Sequence, residues 1–597
     1  MALRLGRLLP VLTGTLLVLG ASSACYDTGD GTDPPLDRFY FPVGLKVSHG
    51  GSVLYAVNSN FDLQFNGGTL QSYDLTLIRR HALDVIADPR APHVPLVRRS
   101  GAADNPCPGN PPIFAEDGSG ARQPLGETCA PPVDSRFYVR DTAVIGAFAT
   151  DLLLSAPPEA LVPQVPKVPG EVLPVGNRRF DRLFVPVRGN ASITWASVER
   201  DSPDAAPPAD PSVPYGPHLL RCGQDAARRC DAAHQAGEDP SELGNTRGLT
   251  MPGEPFGAAM SEDGEAIVVT HQNETKASLF STGLSRADDD GPGAAADLHP
   301  IPALQFVLDD VPFGGVGVAA IPHDRDAFLG ATALPRAAFL ETSRVIPEVS
   351  LIRQYPDEFG GLGSSLRRPF LDLERVFPIT AAAGGNDSRG IAIDPTPRLA
   401  CKARVDASRP QADVDRDLAA CARKPARAFI ANRSPAALLV GDVGIVEGRD
   451  GAYDPDRLVV HSSIPLSAGP SKVYLAPIVD RDGALTLRVF AICFDAAAVF
   501  VIDPETGAVE NVIRVAPGPF AMAFDPFTLE QVARHEVVPL DPREPPERGL
   551  RRYRFAYLAS FTQSFVQVID LDNAQPDRAT FERVVFTLGP PTNPKGS

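Results

Sequence analysis

Lysine is scarce in this 597-residue chain, supplying seven of its 56 basic residues, and tryptophan occurs once. With 73 acidic residues the net charge is −17. Nucleic acid and anionic lipid surfaces are bound through clustered Lys and Arg, so neither is an expected partner. Cysteine is limited to eight residues with no CxxC spacing, and the ten His are scattered. A structural zinc site needs four convergent soft ligands, which these spacings do not offer. The motifs HExxH, GxSxG and the phosphate-cradling GxxxxGKS/T are also missing. No metal, cofactor or catalytic constellation is expected from what remains.

What is present begins with an export signal. Residues 1–24 carry Arg4, Arg7, an apolar run from Leu8 to Gly20, and small residues before Cys25. The run is too short and wrongly flanked to be a membrane span. Ser22-Ser23-Ala24-Cys25 is similar to a bacterial lipobox, whose Cys becomes diacylated, although Ser22 stands where Leu is usual. Ordinary signal-peptidase cleavage after Ala24 is the alternative. A lipidated Cys25, followed by a polar tether through residue 36, would hold the chain at a membrane by acyl insertion alone. A chain starting at Cys25 loses Arg4 and Arg7 and carries −19.

Six further cysteines fall as three sequence-local pairs, Cys107 with Cys129, Cys222 with Cys230 and Cys401 with Cys421, each in a Pro- or Asp-rich segment. Disulfides stapling loops in an oxidising compartment are expected. Pairing by proximity is an assumption, because six cysteines allow 15 connectivities. Cys493 sits in a strand pattern and reads as a buried free thiol.

The stretch from Val489 to Phe527 carries the architecture. VFAIC, AVFVID and VENVIRV follow one another, separated by turn residues, and a Pro-Gly-Pro break at 517–519 opens a fourth apolar run. Short Val-, Ile- and Phe-rich runs with a turn every eight to twelve residues indicate antiparallel β structure. The same unit recurs seven times between residues 37 and 590, with 591–597 left as a tail. Blades open at FPVGLKV (41–47), AFATDLLL (147–154), PFGAAM (255–260), PFGGVGVAAI (312–321), RGIAI (389–393), VYLAPI (473–478) and FAMAF (520–524). The fourth is least regular, with AFLGA (327–331) as its second strand and EVSLI (348–352) as its third. Pro42, Pro255, Pro312, Pro470 and Pro519 stand where the chain must leave one blade and enter the next. A four-stranded blade cannot bury both faces alone, and radial repetition covers each face with its neighbours.

The four-strand unit resembles the YVTN-type repeat of bacterial β-propellers. The resemblance implies an all-β, seven-bladed propeller of four-stranded antiparallel blades with long, disulfide-stapled loop insertions. In that topology the link into a first strand and the turn between second and third strands share one face. Segments 87–143 and 200–254 are read as entering first strands, so they cap that face. Insertions 394–426 and 527–552 join first to second strands and decorate the other. On the capped face the turns offer Asn58 and Asn60, Arg188 and Asn190, His271 and Asn273, and Arg433 as ligand-face candidates. Arg and amide side chains suit a polar or anionic ligand, while Asn and Gly are also what tight turns require.

The reading from sequence is an envelope-anchored propeller that recognises a protein, peptide or glycan through its capped face. Its partners are the membrane, through the lipid, and an envelope component, with no nucleic acid. Two alternatives stay open. One is an enzyme such as the lactonases or quinoproteins that YVTN-like propellers resemble, with only Arg188, His271 and Arg433 as candidates. The other is a purely structural envelope component. A channel lined by small apolar residues favours the last; polar convergence favours the first two.

Overall fold

The computed structural model describes residues 31–88, 91–95, 114–116, 122–124, 131–155, 180–202, 216–282, 301–328, 336–355, 368–379, 386–447, 453–575 and 580–589. Seven four-stranded antiparallel sheets succeed one another, and every blade is built from consecutive segments of the chain. Innermost are Pro42–Val47, Leu153–Leu154, Pro255–Met260, Gly315–Ala320, Asn386–Asp394, Pro470–Val479 and Pro519–Phe524. Apolar side chains from facing sheets pack between successive blades, as where Leu183, Val185 and Val198 of blade 2 meet Val53, Tyr55 and Ile145 of blade 1. The seven-bladed propeller is the fold.

One irregularity repeats. In six blades the first strand carries a bulge just after its start, for example between Pro42 and Gly44, Pro255 and Ala258, and Pro519 and Ala521. The bulge brings neighbouring inner strands backbone to backbone. A Cβ on Gly257 would lie 2.1 Å from the Val316 carbonyl oxygen, and one on Gly317 would lie 2.0 Å from that of Arg389. At Gly257 and Gly317 a side chain is excluded sterically, which is why glycine stands there.

Several segments differ from the sequence reading. Residues 87–143 do not enter blade 2. They belong to the connection from the third strand of blade 1, Gly68–Asp74, to its fourth, Val139–Ile145. The 200–254 segment is likewise divided. Its first part leads from Ser192–Glu199 to the fourth strand of blade 2, Gln235–Ala236, and only 237–254 enters blade 3. Both insertions therefore leave from the face opposite the one assigned to them. The second climbs the outside of blades 1 and 2, where Arg221 bridges Ser197 and Arg229 bridges Val144. In blade 4 the second strand is Ala338–Ser343, and the first two residues of AFLGA, Ala327 and Phe328, end a 3-10 turn over Arg325–Phe328.

The ring is closed by the blade 1 insertion. Helix α1 (Leu75–Ala87), capped by the Asp74 side chain accepting from Leu77 N at 2.9 Å, packs beneath blades 1 and 7. Pro132–Val133 then adds a fifth strand, parallel, to the outer strand Arg583–Leu588 of blade 7. The first and last blades are thus clasped without exchanging a strand.

Disulfides join Cys222 to Cys230 and Cys401 to Cys421, as proximity suggests, and they fit an exported chain in an oxidising compartment. The second ties helix α2 (Thr396–Lys402) to α3 (Gln411–Ala422) within the blade 5 insertion. Cys493 is a buried free thiol, pushed up to about 11 by burial. Cys25, Cys107, Cys129 and the signal segment lie outside the described residues. Among the described residues no helix is long and apolar enough to cross a membrane.

Candidate functional site at the channel mouth

The sequence-derived candidates are held by the protein itself. Asn58 and His271 occupy equivalent registers at the end of the second strand, opposite Pro42 and Pro255. There they grip the chain entering the same blade. Asn58 Oδ1 accepts from Tyr40 N at 3.0 Å, and its amide donates to Thr69 Oγ1 and Gln71 Oε1. His271 is buried between the Gly253 carbonyl (2.7 Å from Nδ1) and Ser278 Oγ (2.8 Å from Nε2). Burial lowers it to about 4, so the ring is neutral and fixed. Ser343 and Ser560 repeat the device, donating to the carbonyls of Phe313 and Pro517.

The remaining candidates are ties between neighbouring segments. Asn60 braces its own turn through Phe65. Arg188 pairs with Glu254, and Arg433 with Asp495. Asn190 donates to Gln235 and Glu238, and Asn273 accepts from Arg344 at 3.1 Å. No contact joins any two of the seven among the described residues. They secure the face that surrounds the channel.

The channel mixes charged and apolar side chains. A cavity of about 220 Å³ is lined by the innermost strands of all seven blades. Thr150, Asp151, Arg389, Lys472, Tyr474 and Lys46 converge on it. Lys472 stands at the bulge register that is Gly44, Gly257, Gly317, Gly390 or Ala521 in the other bulged blades. It reaches across the channel to Asp151, Nζ to Oδ1 3.2 Å. Burial works against its charge, but Asp151 raises its pKa overall. Arg389 is paired with Asp387, Nε to Oδ1 2.6 Å. Lys46 has no hydrogen-bond or ion-pair partner among the described residues; burial lowers its pKa, Asp151 opposes that, and the Lys472 charge adds to it. Two of the seven lysines of the chain thus meet in one channel.

Above this lies an arc of phenylalanines drawn from blades 6, 7, 1 and 2. Phe61, in the second turn of blade 1, meets Phe148 at 5.8 Å and Phe561 at 5.3 Å between ring centroids. Phe561 in turn meets Phe41 at 5.0 Å, Phe520 at 5.7 Å and Phe494 at 6.4 Å. Phe61 is 50% exposed. The arc is continuous with the channel, since the Lys472 ammonium sits 4.9 Å from the Phe520 centroid. Neither feature follows from the repeat pattern. A signal was available: Lys46 in FPVGLKV, four residues after Pro42, and Lys472 in GPSKVYL, two after Pro470, both fall in a first strand in a chain almost devoid of Lys.

Other buried charges are structural. Glu341 lies between blades 3 and 4 with both carboxyl oxygens unpartnered, and burial raises it to about 8, so it is neutral at pH 7. Asp456 accepts from Arg353 (2.6 Å) and lies 2.6 Å from His323 Nε2. Asp503 and Asp74 cap turns as their position in the repeat implies. Among the described residues no group of three or more His, Cys, Asp or Glu is placed to hold a metal ion.

No protein-family model matches the chain, and no curated protein matches it. Among solved structures it is similar to the periplasmic gluconolactonase of Pseudomonas aeruginosa (11% identity, 80% of this chain and 86% of that one, TM-score 0.35). It is also similar to the hydrazine synthase of Kuenenia stuttgartiensis (10% identity, 91% and 98%, TM-score 0.37). A protein of Lactobacillus plantarum matches at 10% identity over 82% and 89%, with a TM-score of 0.36. At these identities nothing about activity carries over.

Proposed function

We propose that this chain is an exported binding propeller, held at the envelope through a lipidated Cys25, that takes a partner at the channel mouth. The observation that carries the reading is the phenylalanine arc, with Phe61 half-exposed and its other rings largely covered, beside a cavity where charged side chains of four blades converge. An apolar surface of this kind on a monomer marks an interaction site. A purely structural ring has no use for Lys46, Asp151, Arg389 and Lys472 in its bore, where burying a charge is costly. The reading differs from the one based on sequence in which residues it uses. Arg188, His271 and Arg433 are committed to Glu254, to Gly253 and Ser278, and to Asp495, so the binding reading uses other residues.

Crosslinking capture from intact envelopes, followed by mass spectrometry, tests the proposal. The wild-type chain is expected to yield a discrete partner that a folded Phe61→Ser/Phe561→Ser variant loses. Equal recovery with both chains, or none with either, contradicts a working mouth.

A further inference from the structure

Resting on the binding reading above, we infer that the mouth recognises the free C-terminus of an apolar polypeptide, with rings or aliphatic side chains on the phenylalanine arc and the terminal carboxylate at Lys46. Four observations lead there. The cavity, about 220 Å³, is smaller than the roughly 300–1,000 Å³ of pockets that enclose a drug-sized ligand. It therefore admits an end group, not a whole ligand. The arc outside is wide, running across four blades from Phe148 through Phe61 and Phe561 to Phe494, so the rest of the ligand is an extended apolar body.

Chemistry narrows the class further. The rings of the arc are all phenylalanine and carry no hydrogen-bonding group. Apolar side chains laid on them lose no hydrogen bond. In the channel Lys472 is already paired with Asp151 and Arg389 with Asp387. Lys46 alone among the channel cations is unpaired in the described residues. One free ammonium matches one monoanion, a carboxylate, better than a phosphate dianion. The net charge of −17 repels acidic chains elsewhere on the surface, so the apolar, singly charged terminus is the form of anion the protein can accept. Capture of a C-terminal carboxylate is a known mode of peptide recognition, here supplied by a side chain in a propeller bore.

The test is a calorimetric titration of the full chain with acetyl-Gly-Ser-Leu-Phe-Phe as its free acid and as its amide. The pair differs only in the terminal charge. The free acid is expected to bind at least about ten-fold more tightly, the discrimination that one hydrogen bond to a charged group supplies. That preference should shrink as salt is raised and vanish in Lys46→Met, which breaks no hydrogen bond or ion pair among the described residues. Equal affinity for acid and amide, with both weakened by Phe61→Ser, overturns the carboxylate inference while leaving the mouth as the binding site. Binding of phenylacetate but of neither peptide overturns it in favour of a small aromatic acid. Failure of all three ligands overturns it outright, and the envelope capture experiment then decides separately whether the mouth binds anything.

Discussion

Arg79→Met is expected to destabilise the chain by about 3–5 kcal/mol, the cost of breaking a buried ion pair by removing one partner. Arg79 projects from helix α1 and is 1% exposed. Its Nε lies 3.3 Å from Asp525 Oδ2, and one terminal nitrogen donates to Asp541 Oδ2 at 2.7 Å. The other donates to the carbonyls of Arg551 and Arg552. Asp525 meanwhile accepts from the backbone of Arg554 and Phe555 and from the Tyr557 hydroxyl. One guanidinium therefore joins blade 1 to the insertion and second strand of blade 7, at the point where the ring closes. Removing it leaves the Asp525 carboxylate without an ion-pair partner among the described residues, while Asp541 keeps Arg543 alone.

The loss has a pH signature. Burial alone would raise Asp541, but hydrogen bonds from Arg543 and the Arg79 charge hold it at about 2. A depressed carboxyl contributes stability that is fully present above its unfolded value near 3.8 and is lost as pH falls through about 2. Without Arg79 the folded value rises, so acid unfolding of the variant should begin at higher pH than in the wild type. Chemical denaturation at pH 7 and acid titration followed by circular dichroism measure both effects. A midpoint unchanged in both would show that the 132–133 strand, not Arg79, carries closure.

Asp201→Ala is expected to cost about 3–4 kcal/mol, since hydrogen bonds to a charged group are worth roughly 1.5–3 kcal/mol each and do not add fully. Asp201 follows the third strand of blade 2 yet serves the first turn of blade 1. Its carboxylate accepts from Ser48 Oγ (2.6 Å), Gly50 N (2.7 Å), Ser52 N (2.9 Å) and Ser52 Oγ (2.7 Å). Truncation leaves these buried donors unpaired, which is the costly half of losing a hydrogen bond. Asp201→Asn keeps an acceptor oxygen and should lose less. Denaturant midpoints for the two variants check the order, and a larger loss in Asn than in Ala would contradict the account.

The seven-bladed frame was legible because the blades with alternating Val, Ile and Phe announce themselves. AVFVID at 498–503 and FVQVIDL at 565–571 supply the central strands Ala498–Ile502 and Phe565–Asp570, buried along their whole length. What the sequence hid follows from local chemistry. Val139–Ile145 carries Arg140 and Asp141 in its first half, so it reads as loop although it is the outer strand of blade 1. AFLGA has strand-like apolar density, but its first residues are drawn into a 3-10 turn while Ala338–Ser343 pairs with both neighbours.

The proposed mouth lies beside the turns between second and third strands but draws on residues other than the seven sequence candidates. Asn58 and His271 are polar at the same register for the same reason, to hold the incoming chain, so their recurrence is a property of the repeat. The residues that break the repeat are the informative ones. Lys472 stands where its counterparts are Gly or Ala, and Lys46 lines the same cavity. The phenylalanines of the arc lie in separate turns and in links between blades, so only the closed ring brings them into contact.

A photoreactive benzophenone amino acid placed at position 61, and in a second chain at position 459, tests the central claim most directly. Both positions are exposed, at 50% and 47%, but Val459 lies on the outer strand of blade 5, away from the mouth. Irradiation of intact envelopes is predicted to give a discrete adduct from position 61 and none from position 459. Equal labelling from both positions, or an adduct from 459 alone, would contradict a binding site at the channel mouth.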